Sequence, residues 1–242
     1  MIAAERSLFR PDPQVQRVDF PGGVYCLVVD DALRDPEALR QLAIARRGDF
    51  VHAPFNAYPG VELPMPGEVS RQLDDFFRLH IRGLMGCRRT LRMHSRLAMA
   101  TTPPGDLLPR QWLCHRDDAW VDRGHAIVAS VLYLFEDASM GGTNFYAPRL
   151  PAREVDLLVH DSSTMDAAQF SAKHGWQAGY MSGSNAFFER IGSIPARWNR
   201  VIFYDGRLFH SGEIGHQRAL NGAPARGRLT LNGFFTCSRK TA

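Results

Sequence analysis

At 242 residues, 45% hydrophobic and 22% charged, the chain can bury a sizeable core as a single domain over residues 1–242. The net charge of +4 is carried by scattered arginines without a run of like charge, which excludes the basic footprint of a nucleic-acid-binding protein. Cys26, Cys87, Cys114 and Cys237 form no CxxC pair, so neither a disulfide framework nor a structural zinc site is expected.

The first residues, MIAAERSLFRPDPQ, lack an apolar signal core. Residues 24–30, VYCLVVD, read as a buried strand. Asp35-Pro36-Glu37 then supplies an N-cap, a first-turn proline and an acidic first turn for a helix to about residue 47, stopped by Gly48. The proline-rich stretch 52–67 reads as an irregular loop. Leu73, Phe76, Phe77, His80, Ile81 and Leu84 fall on one face of a second helix that Gly86 ends. From residue 88 the period becomes two, with Leu91, Met93, Leu97 and Met99 alternating with Arg92, His94 and Arg96. Further strands are expected at 112–115, 125–135, 155–159, 186–191, 198–204 and 228–237, with a short helix at 163–174. The run 126–135 is the longest strongly apolar one and is too short to span a bilayer, so a soluble, cytoplasmic protein without a membrane partner is expected. The fold class implied is mainly β, an antiparallel jelly roll over about 88–238, with helical support over about 1–87 packed on one sheet.

Four patterns carry possible chemistry. In His115-Arg116-Asp117, residues i and i+2 of a strand share a face, so an imidazole and a carboxylate can converge on one divalent metal. The apolar stretch 201–204, an Asp205-Gly206 turn and then His210 can deliver a third ligand from another strand. Arg228 and Thr230 share a strand face and make a guanidinium-plus-hydroxyl receptor for a carboxylate. Gly141-Gly142-Thr143-Asn144 permits a tight reversal or a close backbone approach. Each has a bland reading when taken alone: a surface His and Asp, a structural His beside a turn, an edge-strand arginine, an ordinary hairpin. Asp118 competes with Asp117 but faces away from His115 on a strand. Arg218 and Arg226 compete with Arg228, and only Arg228 runs into the apolar LTLNGFF stretch. Arg96 and Arg116 are read as solvated surface arginines before substrate contacts.

The order of these motifs, with Tyr133-Leu134 between the first and the glycines, resembles the prolyl-hydroxylase type of the Fe(II)/2-oxoglutarate-dependent dioxygenase superfamily, over about residues 88–237. The wording CHRDDAW, GGTNFY, NRVIFYDG and FHSG is similar to that of a bacterial branch of that family. The resemblance implies a double-stranded β-helix with a catalytic iron(II) on His115, Asp117 and His210. It implies 2-oxoglutarate and O2 as cosubstrates, the distal carboxylate lying on Arg228 with Thr230 and Tyr133. Hydroxylation of an amino acid, a peptide or a related small molecule would then release succinate and CO2. Halogenation is disfavoured because Asp117 fills the position such enzymes leave open. Trp112, Trp120, Arg116, Thr143 and Asn144 are the candidate substrate contacts, core packing being the bland alternative for the tryptophans. Residues 149–195 exceed what a minimal barrel needs and are expected to build a lid or substrate wall. The other classes kept in view are a catalytically idle jelly-roll binding module and a cupin-like metalloenzyme that ignores 2-oxoglutarate.

Overall fold

A computed structural model describes residues 7–53, 57–117, 122 and 124–239. The elements in chain order are β1 (Val15–Phe20), β2 (Val24–Val29), α1 (Pro36–Ala45), β3 (Gly60–Pro64), α2 (Gly67–Phe76), β4 (Cys87–Ala100), α3 (Pro109–Trp112), β5 (His125–Tyr133), β6 (Thr143–Pro148), α4 (Ala152–Thr164), α5 (Ala167–His174), β7 (Phe188–Ile194), β8 (Val201–Asp205), β9 (Phe209–Gly212) and β10 (Leu229–Arg239). The predicted cap is present: the Asp35 carboxylate accepts from the Ala38 N–H, with Pro36 in the first turn of α1.

The strands form two antiparallel sheets, β1-β2-β8-β5-β10-β4-β3 and β7-β6-β9. His115 extends the small sheet, because its N–H and carbonyl both pair with those of His210 on β9. Chain order from β4 onward therefore moves between the sheets: β4 large, His115 small, β5 large, β6 and β7 small, β8 large, β9 small, β10 large. That crossing pattern makes a jelly roll, as the sequence implied.

Two apolar layers sandwich the large sheet. On its outer face Leu97, Leu231, Phe203 and Phe235 meet the helices, Phe77 stacking on Phe235 at 4.0 Å between ring centroids. Its inner face meets the small sheet through Ala129, Tyr133, Phe145, Ile202 and Tyr204. Past Phe76, α2 runs into a π-turn, with Arg82 N–H donating to Phe77 O. The extra residue rotates the rest of the helix, so Leu84 is exposed rather than on the core face.

Several expectations are corrected. Besides the expected strand at 24–30, the segment before residue 88 contributes β1 and β3, and β3 with its Glu62 lies within the stretch read as loop. Residues 155–159 form part of α4 and not a strand. Pro151 and Glu154 start that helix, and Val155, Leu158 and Ser162 are buried at helical spacing, which outweighs the β-branched residues. Residues 109–112 are a helical turn opened by Pro109, so extended chain begins only at Leu113. The insertion after β6 reaches back toward β4 at Tyr180, whose Oη donates to Thr102 O at 2.7 Å. Through Val155, Leu158, Phe170 and Trp176 it packs with Tyr146 and Phe209 on the outer face of the small sheet. Among the described residues, no helix is long and apolar enough to cross a membrane.

Candidate metal centre and carboxylate receptor

His115 and His210 are direct cross-strand partners and so present their rings to the same face. The rings sit 4.3 Å apart between centroids. Asp117, two residues on, shares the face of His115, and its N–H donates to Gly206 O in the Asp-Gly turn at 2.7 Å. Gly206 permits that approach, since a Cβ there would lie 3.2 Å from Asp117 Cβ. Asp117 Oδ1 is 3.7 Å from His115 Nε2, and Oδ2 is 3.4 Å from His210 Nε2. One ligand atom from each of the three residues lies within 4.8 Å of the other two.

The donor set suits a divalent metal. His210 Nδ1 is 2.8 Å from Leu208 O, and a proton on Nδ1 leaves the Nε2 lone pair toward Asp117. Burial pulls the His210 pKa down to about 4, so the ring is a neutral donor at neutral pH. His115 is pushed the same way to about 4 by desolvation and by His210. Half of its side chain is open to solvent, so the firmer effect belongs to His210. Two neutral imidazoles and one carboxylate on one face, with an open side at His115, form the facial set that suits iron(II).

Arg228 is 5% exposed, whereas Arg218 and Arg226 are exposed. Its Nε and Nη2 donate to Gly141 O and Gly142 O at 3.1 and 2.8 Å. The two glycines thus form a cradle of carbonyls where the backbone approaches closely. Gly141 has φ +85°. A Cβ on it would fall 1.6 Å from Glu213 O, and one on Gly142 would fall 1.9 Å from Ile194 O. Among the described residues no carboxylate lies within ion-pair distance of Arg228. A buried guanidinium held by neutral carbonyls alone is costly unless an anion joins it. Gly212, two residues beyond His210 and on its face, lies against this guanidinium, its ideal Cβ position being 3.5 Å from Nη2. The triad and Arg228 therefore address one interior, about two strand residues or ~7 Å apart along β9.

Thr230 and Tyr133 are cross-strand partners on β10 and β5 beside Arg228. Tyr133 Oη lies 2.8 Å from Thr143 Oγ1, which ties Thr143 into the same wall. Tyr58, which the sequence reading missed, joins them. Its phenol oxygen is buried within the fields of Arg228, Glu62 and Arg96, and burial pushes its pKa up to about 12. The alternation of Gly60 and Glu62 with Val61 in β3 was the available signal that this loop carries an inward face.

Other candidate substrate residues lie elsewhere. Asn144 sits opposite Ser211, and Phe209, Ser211, Asn144 and Tyr146 occupy the small sheet's outer face, away from the metal ligands. Arg116 points the same way, over the Phe209 ring at 4.9 Å and 3.7 Å from Asp156. Trp112 is core, donating from its indole to Leu107 O and packing on Phe170. Trp120 and Asp118 fall outside the described residues. Arg96 is not a solvated surface arginine; its side chain is 20% exposed and pairs with the buried Glu62 at 2.7 Å.

Several solved structures resemble the chain at low similarity. A prolyl 4-hydroxylase from Phytophthora capsici is 11% identical over 88% of this chain and 58% of that one, with a TM-score of 0.44. The chain thus spans little more than half of that protein's length. HygX from Streptomyces hygroscopicus, determined with nickel and 2-oxoglutarate bound, is 12% identical over 88% of this chain and 82% of that one, with a TM-score of 0.47. A Pseudomonas putida prolyl-4-hydroxylase is 15% identical over 89% and 92%, with a TM-score of 0.42. No curated protein matches the sequence. The model of a family of unknown function, DUF6445, matches residues 11–235, and the chain belongs to that family.

Proposed function

We propose that the chain is a non-haem iron(II)- and 2-oxoglutarate-dependent oxygenase that hydroxylates an amino acid, a peptide or a related small molecule. His115, Asp117 and His210 would hold the metal. Arg228, Thr230, Tyr133 and Tyr58 would hold the distal carboxylate of 2-oxoglutarate. The observation that carries the reading is Arg228, a buried guanidinium without a carboxylate partner among the described residues, lying against Gly212, two strand residues or ~7 Å along β9 from His210 of the three metal-competent side chains.

Each group has a distinct task. Arg228 binds and orients, since its charge meets the carboxylate in a dry site where the attraction is strong. The Gly141 and Gly142 carbonyls fix the guanidinium's angle, and Tyr133 and Thr143 lock each other so that the wall keeps its shape. Asp117 and His210, closed off from solvent, hold one side of the metal, while the half-open His115 marks the side from which a substrate can approach. Iron(II) bound there would supply the oxidising chemistry with O2 while 2-oxoglutarate leaves as succinate and CO2.

The test is succinate formation by the iron-loaded chain across a 2-oxoglutarate titration. Slow, saturable succinate production without added substrate is expected, from uncoupled turnover. A cupin-like metalloenzyme would bind the metal and ignore 2-oxoglutarate, and an idle binding module would make no succinate. Either result would overturn the assignment.

A further inference from the structure

The inner face of the large sheet grades from closed to open. Along β10, Thr230 is sealed, Asn232 is 9% exposed and Phe234 is half-buried. Their cross-strand partners on β4 run in step as Ala98, Arg96 and His94, the last of them exposed. The carboxylate receptor thus lies at the deep end, and the mouth at His94 and Phe234, whose rings stack at 4.9 Å. A substrate entering there meets Arg96 and Asn232 before it reaches Arg228.

This middle level carries its own polar set. Glu62, buried on β3, holds Arg96 Nε at 2.7 Å. The Arg96 guanidinium lies over the Phe234 ring at 4.7 Å, and its charge reaches His115. Asn232, directly opposite Arg96, has a buried side-chain oxygen with no hydrogen-bond partner among the described residues. An orphaned buried polar atom costs free energy unless something completes it. The two arginines also differ in kind. Arg228 has no carboxylate among the described residues and calls for a simple anion, whereas Arg96 is already neutralised by Glu62. A bare anion at Arg96 would face Glu62 as well. A ligand with both signs on neighbouring atoms would meet each partner favourably.

We propose that Arg96, Glu62 and Asn232 form the substrate station and that the substrate is a free α-amino acid. Its carboxylate pairs with Arg96, and its ammonium is shared by Glu62 and the Asn232 side-chain oxygen. The side chain then extends along His94 and Phe234, beside His115. This rests on the oxygenase reading above and names the substrate class for that site.

The experiment is calorimetric titration of the chain loaded with Mn(II), a stand-in that permits binding without turnover, and with 2-oxoglutarate. The ligands are the common L-amino acids and their N-acetylated amides, which keep the side chain and lose both charges. At least one free amino acid should bind, and its N-acetylated amide should bind about tenfold more weakly or worse. Asn232→Leu and Arg96→Gln should each weaken that amino acid about tenfold or more, and by more than any change in the 2-oxoglutarate dissociation constant. If Arg96→Gln misfolds because Glu62 is stranded, Asn232→Leu decides alone, since it strands no partner. Three results overturn the proposal: no free amino acid binds a protein that does take up 2-oxoglutarate, the amides bind as well as the free acids, or the variants weaken 2-oxoglutarate instead. If the wild-type chain takes up no 2-oxoglutarate at all, the oxygenase reading fails first, and this station with it.

Discussion

At the scale of single residues, Arg228 separates the readings most cleanly. Truncating one partner of a buried charge pair costs ~2–5 kcal/mol, mostly from the charge left behind, and each ~1.4 kcal/mol is about tenfold. Arg228→Ala should therefore raise the 2-oxoglutarate requirement by about 30-fold or more, measured by calorimetry on Mn(II)-loaded protein. The exposed Arg226 should tolerate alanine with no such defect; a defect at Arg226 instead would move the receptor to a residue the fold leaves in water. Tyr58 makes a smaller claim. One hydrogen bond from its phenol to the proposed receptor would be worth ~0.5–1.5 kcal/mol, so Tyr58→Phe should weaken 2-oxoglutarate by roughly two- to tenfold. Equal affinity in Tyr58→Phe and wild type would remove Tyr58 from the receptor.

At the scale of elements, the turn into β6 and the helical layer have separable effects. Gly141 combines positive φ with a backbone oxygen 1.6 Å from where a Cβ would stand. Gly141→Ala must displace either β6 or the chain after β9, at ~1–3 kcal/mol or more. Since Gly141 O also aims Arg228, 2-oxoglutarate binding should fall along with the melting temperature. Gly105→Ala is the control, having ordinary φ and nothing near its Cβ position, and should change neither. On the other face of the large sheet, Phe235 is fully buried against Phe77. Phe235→Ala should cost ~3–5 kcal/mol of stability in denaturant unfolding. Below its melting temperature that variant should still bind one metal, because the triad lies on the far side of the sheet. Loss of metal from still-folded Phe235→Ala would mean the helical layer shapes the site directly.

At the scale of the whole molecule, the proposed metal ligands come from two segments that only the closed jelly roll holds side by side. Ligands that bind the native state alone should therefore raise its apparent stability, by about 2.7 kcal/mol at a hundredfold excess over Kd. Mn(II) with 2-oxoglutarate should raise the melting temperature of the wild type by several degrees. His210→Ala should fold and show little of that rise, and chelation should reverse it in the wild type. A full rise in His210→Ala would place the metal elsewhere in the chain.

What could be read from the chain alone was local. The apolar, β-branched runs of β2, β5, β8 and β10 have the period of buried strands, and Asp35-Pro36 marks a helix start, because caps and side-chain alternation depend only on near neighbours. The shared face of His115 and Asp117 was legible for the same reason, the i and i+2 spacing on a strand being a local rule, whereas His210 and Arg228 joined them through the resemblance of the motif order. Tertiary structure decided the rest. The short β1, β3 and β6 have weak patterns and exist because neighbouring strands supply their hydrogen bonds. The β-branched content of residues 155–159 gave way to a helix once one side of it could be buried against the small sheet. Pairing between His115 and His210, far apart in sequence, is a matter of register set by the closed sheets. The apolar run after Arg228 pointed to it over Arg226, but only the fold shows that it is buried, brings Arg96 and Glu62 together inside the barrel, and turns Arg116 and Asn144 away from the proposed metal ligands.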